Sequence, residues 1–127
     1  MDYLNKLEKI KLEKGDIYKI FVSSFKDQQV SEIYISEINP GAEKGWKLHE
    51  KMTCKLLVIK GIVEFKLMED GNLKTIIVSE TDNLLISIPP KTWFAFKCLD
   101  TNISRIMNFA DVWHADDPGI NSQCPNY

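Results

Sequence analysis

Short runs in which hydrophobic and polar residues alternate occupy most of the chain. Alternation with a period of two residues is the pattern of a β-strand with one buried face, and no stretch shows a convincing helical pattern of about three turns. The predicted strands are Ile17–Val22, Val30–Ile38, Leu56–Lys60, Ile62–Met68, Leu73–Ser79, Leu84–Ile88, Trp93–Leu99 and Ile103–Ala110. Turn residues separate them about every ten positions, which is typical of all-β folds. The pattern therefore predicts an all-β sandwich or small barrel, such as a jelly roll built from two sheets.

Glycine and proline residues mark the connections between these strands. Asp70-Gly71 is a strong hairpin signal, because both residues tolerate the positive φ of a tight turn. Gly61 predicts another tight connection, here a hairpin between the two strands on either side of it. Pro89-Pro90 lacks the N–H groups that central pairing requires and so ends the strand before it.

We expect a single domain of 127 residues with two segments flanking its centre. The parts are an N-terminal arm (about 1–29), a barrel (about 30–110) and an irregular tail (111–127). Residues 7–23 of the arm alternate like a strand, and a helix over 3–14 is the alternative because Leu4 and Leu7 keep helical spacing. An edge strand seeks a partner, so the arm is expected to pair across a homodimer.

Composition narrows the class of protein. Hydrophobic residues make up 44% of the chain and charged residues 27%, as in ordinary soluble domains. A net charge of −2 gives no overall field that would attract nucleic acid or a membrane. The three cysteines have no metal-binding spacing, and neither a secretory signal nor a transmembrane run is visible. We therefore expect a reduced, cytoplasmic protein.

His49 is the main candidate for chemistry, and it is one of only two histidines. It follows Trp46-Lys47-Leu48, where strand alternation directs Lys47 and His49 to the same face. As a general base it would be held neutral by the lysines around it. The alternatives are a surface histidine at a turn and, less readily with so few histidines, a metal ligand.

Cationic side chains could complete a binding site around His49. Lys47, Lys51 and Lys55 could together hold an anion such as a diphosphate or an enolate, or they could form a solvated face. Arg105, the only arginine, lies within a strand and needs either a ligand or a carboxylate on a neighbouring strand.

Aromatic residues supply the remaining candidates. Tyr34 could act as an acid from the polar face of its strand, or it could pack in the core. Trp46, Trp93 and Trp113 are core or rim aromatics whose rings could also stack on a base or a sugar. His114 is expected to contact the nearby Asp111, with a role in the site as the alternative.

Four blocks of the sequence resemble one known group of proteins. They are Pro-Gly-Ala-Glu-Lys-Gly-Trp-Lys-Leu-His, Val-Ile-Lys-Gly-Ile-Val-Glu-Phe, Leu-Leu-Ile-Ser-Ile-Pro-Pro-Lys-Thr-Trp-Phe-Ala-Phe and Asn-Phe-Ala-Asp. They resemble the cupins that act on nucleotide-activated sugars, above all RmlC-like dTDP-4-dehydrorhamnose 3,5-epimerases. The second resemblance is to the dTDP-4-keto-6-deoxyglucose 3,4-ketoisomerases, and the likeness covers about residues 30–118.

The resemblance implies a cupin jelly roll, usually a homodimer, that needs no metal or other cofactor. It also implies proton abstraction next to a sugar ketone, with His49 at the position of the epimerases' catalytic histidine. Against the Gly-His-Ala-His motif of the ketoisomerases, His49 matches the second histidine and Lys47 replaces the first. Tyr34 falls on an active-site tyrosine of that group.

This sequence departs from the epimerase pattern at several positions. Trp46 stands where the epimerases have an arginine, Met107 where they have the acid tyrosine, and Phe94 where they have another histidine. The carboxylate that partners the histidine lies in a part of the epimerase chain that this sequence does not extend to. By this comparison the base is present, whereas the usual acid and orienting group are absent.

The sequence therefore predicts a metal-free epimerase or isomerase of a nucleotide-activated 4-keto-6-deoxy sugar. His49 would remove the proton next to the ketone, the lysines would stabilise the enolate and the diphosphate, and Tyr34 would return a proton. Trp46 and Arg105 would help to bind the nucleotide sugar. A 3,4-ketoisomerase and a non-catalytic cupin that binds a carbohydrate or nucleotide are the alternatives.

Overall fold

The computed structural model describes residues 3–20 and 29–122. Within these ranges the chain forms twelve β-strands and no helix, so none could cross a membrane as a helix. The strands are β1 (Leu4–Lys6), β2 (Glu8–Ile10), β3 (Ile17–Lys19), β4 (Glu32–Ile38), β5 (Glu43–Leu48), β6 (Cys54–Lys60), β7 (Ile62–Glu69), β8 (Asn72–Ser79), β9 (Leu84–Ile88), β10 (Phe94–Cys98), β11 (Ser104–Ala110) and β12 (Ile120–Asn121).

Two five-stranded antiparallel sheets make up most of the fold. The first sheet has the strand order β1-β9-β6-β11-β4, and the second has the order β12-β5-β10-β7-β8. Strands β2 and β3 form a separate two-stranded ribbon. The prediction of an all-β jelly roll is confirmed.

The main hydrophobic core lies between the two sheets. On β7, the side chains of Val63, Phe65 and Leu67 alternate into it and are fully buried. Ile86 and Ile106 face them from the first sheet. Burying one such side chain contributes roughly 1.5–3 kcal/mol, so the alternating positions hold the sheets together.

The connection between β7 and β8 is the predicted tight hairpin. Glu69 pairs with Asn72, and the two residues between them both have positive φ, 50° at Asp70 and 78° at Gly71. This combination is the one that a two-residue hairpin of matching twist requires.

The predicted hairpin at Gly61 is wrong, because β6 and β7 belong to different sheets. Gly61 has a φ of 90° and turns the chain from the first sheet to the second. A Cβ atom at this position would collide with the side chain of Ser104. A glycine corner between two apolar runs looks the same in sequence whether the strands pair or separate, so the pattern could not distinguish them.

The flanking segments also contribute strands to the two sheets. In the arm, β1 pairs with β9, and Leu7 packs with Leu85 and Phe109 on the outer face of the first sheet. In the segment expected to be irregular, β12 pairs with β5. The end of the predicted strand Ile17–Val22 lies outside the described residues.

Candidate active site

A cavity of about 390 Å³ lies between the two sheets, next to the core. Strands β4, β6 and β11 line it from one side, and β5 and β10 from the other. Its lining residues are Tyr34, Ser36, Lys44, Gly45, Lys47, His49, Cys54, Leu56, Phe94, Phe96, Ile106, Asn108, His114 and Asn121. The cavity thus combines titratable and hydrogen-bonding groups with an apolar wall, as small-molecule sites do.

Strand β4 turns its polar face towards this cavity. Tyr34 and Ser36 line it, whereas Ile33 and Ile35 point outward with 52% and 49% of their surface exposed. An amphipathic strand normally buries its apolar face. This reversed orientation indicates that the side of the cavity formed by β4 is polar.

His49 is fixed by the segment after the last long strand. Its side chain is only 4% exposed, and Nδ1 lies 2.9 Å from the backbone carbonyl oxygen of Asp117. A carbonyl oxygen can only accept, so Nδ1 carries the hydrogen and Nε2 keeps the lone pair. Burial lowers the pKa of His49 and outweighs the opposing effect of Asp117. The arrangement favours a neutral imidazole that can accept a proton.

The Asp117 carboxylate holds the loop that follows His49. It accepts hydrogen bonds from the N–H groups of Glu50, Lys51 and Met52 at 3.3, 2.9 and 2.8 Å. Its Oδ2 lies 3.8 Å from His49 Nδ1. Although burial acts to raise the pKa of Asp117, these bonds and the nearby histidine hold it below the usual value. A carboxylate so placed also stabilises the imidazolium that forms when His49 takes a proton.

The expectation that His49 lacks an orienting group is therefore wrong, since Asp117 supplies it. The two residues are 68 positions apart, so no local pattern joins them. The feature of the sequence that could have indicated this link is Gly119. Its φ of 89° is a conformation that other residues rarely adopt. A Cβ atom there would lie 2.9 Å from Lys47 Cγ and 3.2 Å from His49 Cε1, so glycine lets the chain pass close to the histidine.

Tyr34 reaches the cavity from β4 with its hydroxyl held by Asn108 of β11. Asn108 Nδ2 donates to the phenol oxygen at 2.8 Å, which leaves the hydroxyl hydrogen free to be donated elsewhere. Burial raises the pKa of Tyr34, so the phenol stays protonated. Asn108 was not predicted. It is buried, and its Oδ1 makes no hydrogen bond within the described part of the chain.

Stacked aromatic rings form the apolar wall. Phe94 lies 6.1 Å from His49 between ring centroids at an angle of 28°, and 6.2 Å from Phe96 at 19°. Phe94 therefore does occupy a pocket position, as the resemblance implied, and it desolvates the imidazole beside it.

The lysines divide into two groups. Lys47 lines the cavity together with Lys44, which was not predicted and donates to Ser36 Oγ at 3.1 Å. Lys51 is exposed in the loop after β5, outside the cavity lining. Lys55 lies on the outer face of the first sheet and donates to Ser87 Oγ at 2.9 Å. Within the described residues, the cations at the cavity are thus Lys44 and Lys47.

Trp46 and Arg105 also lie away from the cavity lining. Trp46 is buried, and its backbone exchanges hydrogen bonds with Ser122 at 3.0 and 2.9 Å. Arg105 is exposed on the outer face, where it forms an ion pair with Glu37 on the adjacent strand at 2.8 Å. This ion pair is the cross-strand alternative that the sequence had left open.

Met107 and His114 are placed differently from expectation. Met107 packs against the outer apolar cluster with Leu7 and Phe109, so its side chain does not line the cavity. His114 lines the cavity, with its ring in edge contact with Tyr34 at 5.7 Å between centroids. Asp111, its expected partner, accepts the N–H of Thr53.

Cys54 places a thiol at the cavity. Burial raises the pKa of its thiol to about 12, so it is a poor nucleophile or metal ligand. Within residues 3–20 and 29–122, no three His, Cys, Asp or Glu side chains are grouped in the way that metal ligands are.

Comparison with known proteins identifies the family to which this chain belongs. The family model described as FdtA: WxcM-like, C-terminal matches residues 2–122. The chain belongs to this family. The FdtA-family chain is 23% identical over 117 residues to a probable low-salt glycan biosynthesis epimerase, Agl13, of Haloferax volcanii. That match covers 84% of this chain and 75% of the relative.

Solved structures share the fold of this chain. A dTDP sugar isomerase from Desulfovibrio desulfuricans G20 is 29% identical, with a TM-score of 0.76 over 86% of this chain and 75% of that one. QdtA, a sugar 3,4-ketoisomerase from Thermoanaerobacterium thermosaccharolyticum in complex with TDP, is 17% identical, with a TM-score of 0.75 over 87% and 80%. The predicted resemblance to RmlC-like sugar-nucleotide epimerases and ketoisomerases is confirmed.

Proposed function

We propose that this FdtA-family protein is an epimerase or isomerase that moves protons next to the ketone of a nucleotide-activated 4-keto-6-deoxy sugar. The observation that carries the proposal is the state of His49. A carbonyl oxygen fixes its tautomer, burial keeps it neutral, and its ring lines the cavity. The dTDP-sugar isomerase and the epimerase among its relatives supply the class of substrate.

The chemistry follows from the acidity of a carbon atom next to a ketone. His49 Nε2 takes the proton, and negative charge develops on the ketone oxygen. Lys47 and the hydroxyl of Tyr34 are the donors at the cavity that can stabilise this charge. A positioned base alone is worth roughly a hundred- to ten-thousand-fold in rate.

Lys44 is assigned to the diphosphate, because it is the cation that lines the cavity beside Lys47 in the described part of the chain. Lys51, Lys55 and Arg105, which lie elsewhere, are not needed for this role. The wall of Phe94 and Phe96 offers an apolar surface to the deoxy carbon of the sugar or to the base.

Ketone transposition between adjacent carbons is the second candidate, and a specific observation favours it. Epimerisation needs a base on one face of the sugar and an acid on the other. Transposition also requires protons to move between two oxygens, and His114 places a second imidazole at the cavity for such a step.

The test uses dTDP-4-keto-6-deoxyglucose in D₂O. Mass spectrometry measures deuterium entering the sugar, and NMR distinguishes an epimer from a 3-keto product. Deuterium incorporation together with either an epimer or a 3-keto product supports the proposal. Tight binding of the nucleotide sugar with no incorporation would instead identify a non-catalytic binding protein.

We also propose a cytoplasmic homodimer that works without a metal or other cofactor. The exposed Ile17 and Tyr18 of the β2–β3 ribbon support a self-associating arm. Activity that survives a chelator, with less than one transition metal per chain by elemental analysis, is the expected result. A tightly bound metal that is required for turnover would contradict it.

A further inference from the structure

Moving a ketone between neighbouring carbons requires two kinds of proton transfer. One proton leaves a carbon and another arrives at the adjacent carbon, which a single base can do. In addition, one oxygen must gain a proton while its neighbour loses one. The second task needs a group that donates and accepts at the same pH.

Most side chains at the cavity can do only half of this task. Tyr34 stays protonated because burial raises its pKa, and the thiol of Cys54 does the same. Lys44 and Lys47 carry ammonium groups, which are donors without a lone pair. Imidazole is the side chain that exchanges protons in both directions near neutrality.

His114 is the second imidazole at the cavity, and its backbone is well anchored. Its N–H donates to the Glu32 carboxylate at 2.8 Å, and its carbonyl accepts the N–H of Asp117. Its ring meets that of Tyr34 edge-on, with an interplanar angle of 77°. The same turn therefore carries His114 and the carbonyl group that orients His49.

We propose that His114 is a catalytic residue that carries protons between two adjacent oxygens of the sugar, while His49 serves the carbons. This inference rests on the proposed function and selects ketone transposition as its outcome.

The steps balance without an oxidant. Neutral His49 takes the proton from C3, the C–H electron pair forms the C3–C4 double bond, and the C4 oxygen takes a proton from the His114 imidazolium. The enediol then returns: neutral His114 takes the proton of the C3 hydroxyl, the C3 carbonyl forms, and C4 takes the proton from His49. Both histidines regain their starting states.

The test compares His114→Phe with Trp113→Ala, an exposed position of the same turn. Phenylalanine retains an aromatic edge against Tyr34 and leaves the backbone bond to Glu32 intact, but it cannot carry a proton. We expect formation of the 3-keto product to fall by roughly a hundred- to ten-thousand-fold. Deuterium exchange at C3 should fall much less than product formation, because Lys47 and the hydroxyl of Tyr34 can still stabilise the charge that develops on the C4 oxygen. Affinity for dTDP should stay within a few-fold of wild type, as should all three quantities in Trp113→Ala.

The contrary outcomes are distinct. Product formation at the wild-type rate in His114→Phe overturns the inference, as does a proportional loss of exchange and product, which indicates a positioning role. A wild-type product that is an epimer overturns it while preserving the proposed function, and a wild-type protein without exchange overturns both. His114→Ala provides a second route, because added imidazole should restore product formation to it and not to a His49 variant.

Discussion

At the scale of single residues, the chemistry depends on which nitrogen carries a hydrogen. The backbone carbonyl of Asp117 settles this for His49, since only Nδ1–H can bond to it. The side chain of Asp117 is occupied by three N–H groups of the neighbouring loop. One residue thus orients the base through its backbone and fixes the loop after the base through its carboxylate.

His49→Asn should separate catalysis from binding. Asparagine can still donate to the Asp117 carbonyl, but it has no proton-accepting nitrogen. Deuterium exchange into the sugar should fall by roughly a hundred- to ten-thousand-fold, while dTDP affinity, measured by calorimetry, changes little. Exchange at the wild-type rate in a folded, ligand-binding variant would remove His49 from the mechanism.

The pH dependence of kcat/KM should reflect the lowered pKa of His49. Burial is the main cause, and it moves the pKa below the ordinary 6.5. His49 is protonated and inactive below its pKa, so activity should rise with pH and reach its plateau at lower pH than a solvated histidine allows. The free energy of unfolding should also rise with pH. As pH falls below 6.5, the unfolded chain binds a proton that the folded chain resists, so the free energy of unfolding decreases. An acid limb above 6.5 would contradict this.

Arg105→Gln should leave ligand binding intact. The guanidinium pairs with Glu37 on the outer face, and both side chains are about half exposed. Exposed pairs of this kind contribute about 0–1 kcal/mol. Equal dTDP affinity in wild type and variant, with a small change in Tm, is the expected result, whereas a large loss of affinity would place Arg105 in the site after all.

At the scale of elements, the segment from His114 to Gly119 positions His49 for catalysis. The variant Gly119→Ala tests this role, with Gly71→Ala as its control. Both glycines have positive φ, 89° and 78°, so each variant should lose roughly 1–2 kcal/mol of stability from backbone strain. Gly71 has open space around it, whereas a Cβ at Gly119 would press on Lys47 and His49. Activity per folded molecule should fall only in Gly119→Ala. Equal activities in the two variants would show that the close passage is unimportant.

The strands themselves were largely predictable, because period-two alternation and turn chemistry are local. Leu84–Ile88 was predicted with its observed boundaries. Pairing across long separations was not predictable. The corner at Gly61 could join paired strands or separate sheets, and the link between His49 and Asp117 has no local signature. The side chain of Lys47 was correctly grouped with His49 by alternation, whereas Lys51 and Lys55 were grouped by proximity in sequence alone.

At the scale of the whole molecule, the arm should determine the oligomeric state. The β2–β3 ribbon forms its own small sheet and exposes Ile17 and Tyr18 at 49% and 51%. Light scattering at micromolar concentration should give a dimer, and Ile17→Asp should shift it towards monomer without changing dTDP affinity per chain. A monomeric wild-type protein would refute the arm-mediated dimer.

The position of Asp117 in the chain has a consequence for biogenesis. Translation delivers the N-terminal end first, so every strand up to β11 emerges before the residue that orients His49. A nascent polypeptide can therefore pair every strand of its two sheets except β12 while the imidazole is still free to adopt either tautomer. Catalytic competence is then acquired late, when the segment around Asp117 and Gly119 docks beside β5.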